Sequence, residues 1–131
     1  MKKLVYSLII ILAILPFRGL TQKTKSSWPE LTSFHTLMAA TFHPTEDGNF
    51  KPLRQKADSL FMAAKRWQAS TIPADYNKEK TISTLNKLVS QCGGINAAVK
   101  ATAADAKLKK MISSAHETFH TIVEKCKNPE K

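Results

Sequence analysis

The histidines of this chain are the residues whose type and spacing offer chemistry. His116 and His120 stand four residues apart in the stretch "HETFH". On a helix, side chains at this spacing are neighbours on one face, with Cβ atoms about 5–6 Å apart, so both imidazoles can reach one ion. Neutral imidazole is a suitable ligand for zinc and for copper. The spacing therefore predicts two ligands of a transition-metal site.

The same stretch has the spacing of the zinc-protease motif H-E-x-x-H, with Glu117 in the place of the glutamate. A zinc protease of that kind needs a third ligand further along the chain, a sheet edge that holds the peptide and a larger domain. Only eleven residues follow His120, and none is a histidine. We therefore expect a binding protein and not an enzyme.

A third nitrogen ligand is expected from the first predicted helix. If residue 43 on helix one is level with residue 105 on helix four, His35 is level with about residue 113 and can approach the pair. The predicted metal site is therefore His35, His116 and His120. Met38, Glu117 or water would take the fourth position.

His43 is predicted to lie outside this site. It would be level with the start of helix four, roughly 15–20 Å from the pair at a rise of 1.5 Å per residue. There it would hydrogen-bond within its own loop, or form a separate weak site with Glu46 or Asp47.

These histidines depend on helices for their positions, and the apolar residues recur with the helical period of three and four. Pro44 is expected to close the first helix, and Gly93 and Gly94 to interrupt the third, because glycine costs about 1 kcal/mol against alanine inside a helix. The predicted helices cover residues 29–43, 51–69, 78–102 and a last segment from Leu108 to Cys126. With short connections, they predict an all-α fold, an up-down-up-down antiparallel four-helix bundle.

The first residues are predicted to be a targeting segment. Lys2 and Lys3 precede twelve almost entirely apolar residues, 4–15, which are too few to span a bilayer. We expect residues 1–21 to be a secretory signal peptide and residues 22–131 to form one bundle domain. The protein would be periplasmic or secreted, without a stable membrane anchor after cleavage.

The chain of 131 residues carries a formal net charge of +10. Its densest basic group, residues 107–110, has no interleaved aromatic residues of the kind that bind single strands, so no nucleic-acid partner is expected. Cys92 and Cys126 would lie about 18 Å apart along a hairpin of helices three and four, which favours two buried thiols. Only a break at Gly93 and Gly94 that folds the chain back would bring the two cysteines close enough for a disulfide, which is the alternative.

The stretch "GNFKPLRQKADSLFMAAKRWQASTIPADY" resembles the second helix and proline turn of periplasmic b-type cytochrome four-helix bundles and their cytochrome c-prime relatives. That resemblance implies a haem whose iron is bound by a methionine of helix one and a histidine of helix four. Met38, or His35 by substitution, would take the first role, and His120 or His116 the second. The covalent haem motif C-x-x-C-H is absent.

Three functions follow from these patterns. The first is an exported bundle that binds copper or zinc for sequestration or delivery. The second is an electron carrier with haem b bound by Met38 and His120. The third is a structural or interaction bundle without a ligand.

Overall fold

A computed structural model describes residues 27–129, which form four α-helices packed against one another. Within this range no residues form a strand, and a single antiparallel bridge joins Tyr76 to Lys127. The helices are α1 (Pro29–Glu46), α2 (Lys51–Ala69), α3 (Lys78–Lys100) and α4 (Asp105–Lys125). The all-α class and the four-helix bundle are therefore confirmed, while the predicted signal peptide lies outside the described residues. None of these helices is long and apolar enough to cross a membrane.

The prediction that Pro44 closes the first helix is wrong. Pro44 lies inside α1, which continues to Glu46. A proline so close to the end of a helix removes one backbone hydrogen bond, and its fixed φ still suits the helical backbone. The helix ends where the Asp47 N–H bonds to the Pro44 and Thr45 carbonyls, and Gly48 follows with a positive φ of 79°.

The third helix is continuous where the sequence predicted an interruption. Its N-terminus is capped by the Asn77 side chain, which accepts a hydrogen bond from the Lys80 N–H at 3.0 Å. Gly93 and Gly94 both lie within the helix. A Cβ built on Gly93 would stand 3.1 Å from the Phe61 ring. The missing side chain therefore lets a ring of α2 approach α3 closely.

The core lies between the helices and is mostly aliphatic and aromatic. Each helix packs on the next one in the chain, and α1 also contacts α4, although less extensively than it contacts α2. The largest completely buried side chains include Trp67, Phe34, Met38, Leu60 and Leu85. These side chains account for the helical periodicity of the sequence.

One end of the bundle is closed by aromatic and backbone contacts. Trp28 donates from Nε1 to the Ser70 hydroxyl at 2.8 Å, and its ring lies 5.0 Å from the Tyr76 ring between centroids. The Asn77 N–H donates to the Cys126 carbonyl oxygen at 2.7 Å. The start of α1, the start of α3 and the end of α4 are therefore level.

The N-terminal part of α2 is tied to the connection before α4. Arg54 donates from Nη2 to the Ala103 carbonyl oxygen at 2.8 Å and to the Asp105 carboxylate at 2.6 Å. The two contacts link α2 to the start of α4 through the Arg54 side chain.

Both cysteines are free and buried, as the spacing favoured. Burial raises the pKa of the Cys92 thiol to about 12. The Cys126 sulfur lies 3.7 Å from the Thr84 hydroxyl of α3. Cys92 is therefore a protonated core residue at neutral pH, and not a thiolate ligand.

Candidate metal centre

Helix α4 places His116 and His120 on one face, as their spacing predicts. Their Nε2 atoms are 3.2 Å apart, and their ring planes are nearly perpendicular, at 79°. The two nitrogens nearest each other are therefore equivalent atoms of two imidazoles separated by one helical turn. This pair is the centre of the candidate site.

His116 lies in the more enclosed position of the two. Its ring stacks on Phe42 of α1, with centroids 3.9 Å apart and planes 15° from parallel. Burial, followed by the neighbouring His120 and His43, lowers the pKa of His116, while Glu46 acts in the opposite direction. His116 is therefore kept in the neutral form that can bind a metal ion.

His120 is oriented by a carboxylate one turn further along α4. Its Nδ1 lies 3.0 Å from Glu124 Oε1, and the two side chains are 46% and 62% exposed. A carboxylate at this position favours the tautomer whose proton is on Nδ1, because Nδ1–H can then donate to it. In that tautomer the lone pair is on Nε2, the atom that faces His116 Nε2.

His35 is exposed on α1 and stacks on Phe119 of α4, with ring centroids 5.1 Å apart and planes 9° from parallel. Its effect on the pKa of His116 is smaller than that of His120 or His43. His35, the predicted third ligand, thus lies beside α4, but its ring stacks on Phe119 and not on a histidine of the pair.

The position predicted for His43 is wrong. Its ring centroid lies 6.1 Å from that of His116, where the sequence-based register placed it roughly 15–20 Å away at 1.5 Å per residue. His35 was placed level with residue 113, yet it stacks on Phe119, six residues further along α4. The start of α1 lies beside the end of α4, because Trp28 contacts Tyr76 and Tyr76 pairs with Lys127; the two helices are not aligned at the connection before α4. This shift of about 9 Å brings His43 within reach of the pair.

His43 also has a carboxylate neighbour, Glu46, on its own helix. Its Nδ1 lies 2.9 Å from Glu46 Oε2, and the side chains are 60% and 55% exposed. Sequence reasoning considered Glu46 only as part of a separate weak site, and it did not consider Glu124. The signal that could have found both is the spacing of histidine and glutamate three or four residues apart on a helix.

The other residues proposed from sequence lie in two different environments. Met38 is completely buried in the core. Glu117 is exposed and lines an open depression of about 420 Å³ on α4. His116 and His120 lie in the wall of that depression, together with Glu124. Met38 therefore lies in the core, whereas the histidine pair faces solvent.

Within residues 27–129, no three histidine, cysteine or acidic side chains are already arranged to hold a metal ion.

No family model matches the chain, and neither a curated protein nor a solved structure matches it.

Proposed function

We propose that this protein is an exported four-helix bundle that binds a transition-metal ion, copper or zinc, through His116 and His120. Its role would be to sequester the ion or to deliver it. The bundle would have the up-down-up-down antiparallel topology, which the short connections 47–50 and 101–104 favour. Export rests on the signal-peptide pattern of residues 1–21.

The separation of the two Nε2 atoms carries this proposal. Two nitrogens that each lie about 2.0–2.1 Å from one tetrahedral zinc ion are about 3.3 Å apart. The observed separation is 3.2 Å. A metal ion could therefore bind both nitrogens with little movement of either ring, when each ring carries its proton on Nδ1.

The surroundings of the pair support metal binding in three further ways. The lowered pKa of His116 reduces competition from protons at neutral pH. The contact between His120 Nδ1 and Glu124 is the carboxylate–histidine arrangement that fixes the tautomer and orientation of metal ligands. The open depression beside the rings leaves room for water or a delivered ligand.

Haem fits these contacts less well. Iron bound by both Met38 and His120 would require the Met38 sulfur to leave a completely buried position. The depression beside His120 is lined by residues of α4 alone, so it has no second wall for a porphyrin. A metal ion bound by the histidine pair requires neither displacement of Met38 nor a second wall.

Calorimetric titration of the purified protein with Zn²⁺ and Cu²⁺ tests the proposal. We expect one ion per chain, with binding lost in His116→Ala and in His120→Ala. Circular dichroism of both variants serves as the control for folding. A protein that binds neither ion would indicate a bundle without a metal ligand, and a Soret band after expression with haem would favour the cytochrome-like alternative.

A further inference from the structure

Two histidines on different helices have the same arrangement around His116. His120 directs Nδ1 to Glu124 at 3.0 Å, and His43 directs Nδ1 to Glu46 at 2.9 Å. Both rings contact the His116 ring, with centroids 4.6 Å and 6.1 Å away. In each case the carboxylate beside Nδ1 favours the tautomer that carries its proton on Nδ1 and its lone pair on Nε2.

We infer that His43 is the third protein ligand of the metal ion, so that the site joins α1 to α4. This inference rests on the proposed function. Glu46 would then serve His43 as Glu124 serves His120, by fixing the tautomer that presents Nε2. Three imidazole nitrogens and one open position are a common ligand set for zinc that exchanges its fourth ligand.

Coordination by His43 would require rotation of its side chain. Its side chain is 60% exposed and that of Glu46 is 55% exposed, so rotation of both meets little packing. The backbone at this level is held by Phe42, which is buried and stacks on His116. The α1 backbone beside His43 is therefore fixed against α4.

His35 is the competing third ligand, and its contacts favour it less. Its ring lies nearly parallel to Phe119 at 5.1 Å. Coordination would require the ring to leave that stack. His43 has an edge contact with His116, at 71° between planes, and a tilted contact with Phe42 at 56°, so it can turn without losing a stacked partner.

A ligand set drawn from two helices has a structural consequence. Helix α1 packs less extensively on α4 than on α2, and His43 and His116 face each other across that contact. A bound ion would link the two helices near the C-terminal end of α1. Metal binding would therefore slow local opening between them.

The test compares Zn²⁺ affinity in four proteins: wild type, His116→Gln, His43→Gln and His35→Gln. Outer-shell changes alone cost about 10–100-fold in metal affinity, so loss of a ligand should cost at least about tenfold. We expect His43→Gln to weaken Zn²⁺ binding by about tenfold or more and His35→Gln by less than about twofold. Co²⁺ serves as a spectroscopic probe, and its tetrahedral visible band should weaken in His43→Gln.

The outcomes separate this inference from the proposed function. If His116→Gln loses binding but His43→Gln retains the wild-type affinity and Co²⁺ spectrum, His43 is not a ligand and the histidine pair stands. If wild type binds no Zn²⁺, both ideas fail. Glu46→Gln provides a milder variant, which should lower the affinity less than His43→Gln without altering the core.

Discussion

Replacement of Glu124 by glutamine tests whether the carboxylate orients a metal ligand. Glutamine keeps the shape of the side chain but removes the charge, and its amide is a weaker acceptor for the His120 Nδ1–H at 3.0 Å. Loss of such a partner typically lowers metal affinity by about 10–100-fold. Glu124 is 62% exposed, so solvent screens the contact and we expect the lower end of that range. A tenfold loss corresponds to about 1.4 kcal/mol of binding free energy.

Glu117→Gln is the matched control for this measurement. Glu117 lines the same depression and loses the same charge when substituted. The Thr121 hydroxyl donates to its backbone carbonyl oxygen, and this hydrogen bond does not depend on the Glu117 side chain. Competition titration of Zn²⁺ against a chromophoric chelator, at low and at high salt, would give the two dissociation constants. Equal weakening in both variants, which disappears at high salt, would refute orientation by Glu124 and leave only a screened charge effect.

The remaining predictions concern the stability and reactivity of the bundle. Zn²⁺ at 100 times its dissociation constant should stabilise the fold by about 2.7 kcal/mol, which raises Tm by about 10 °C in a domain of this size, measured by circular dichroism. The raised pKa of Cys92, about 12 against an ordinary 9.0, means that its contribution to stability is complete below pH 9 and is lost as the pH rises from 9 towards 12. Alkylation at pH 8 followed by mass spectrometry should therefore label Cys92 only after unfolding. Gly94→Ala should stabilise the fold by about 0.5–1 kcal/mol, because glycine inside a helix is destabilising relative to alanine. The new Cβ fits, since its nearest neighbour is the flexible end of Met111 at 3.4 Å. Gly93→Ala should destabilise it by about 1–3 kcal/mol through overpacking against Phe61, and urea denaturation of the two variants compares them.

The helices were predictable because their apolar spacing reports directly on which face is buried. The predicted limits of α2, residues 51–69, agree with the structure. The end of α1 and the continuity of α3 were less predictable, because Pro44 and Gly93 act as helix breakers only when tertiary packing does not compensate. At Gly93, the approach of the Phe61 ring supplies that packing.

The histidine pair was predictable because its geometry is set within one helix. The relation between α1 and α4 was not, because it depends on which end of the bundle is level. That alignment is set by contacts of Trp28 and Asn77 with distant parts of the chain, and helical periodicity carries no information about them. The same error placed His43 far from His116 and His35 level with the wrong residue.

The crystal structure of the protein loaded with one equivalent of Zn²⁺ is the most direct test of metal binding by the histidine pair, with anomalous scattering to locate the ion. We predict a single ion about 2.0–2.1 Å from Nε2 of His116 and from Nε2 of His120, with Glu124 still bonded to His120 Nδ1. An ion bound away from these two nitrogens, or no bound ion at full loading, would contradict the proposed function.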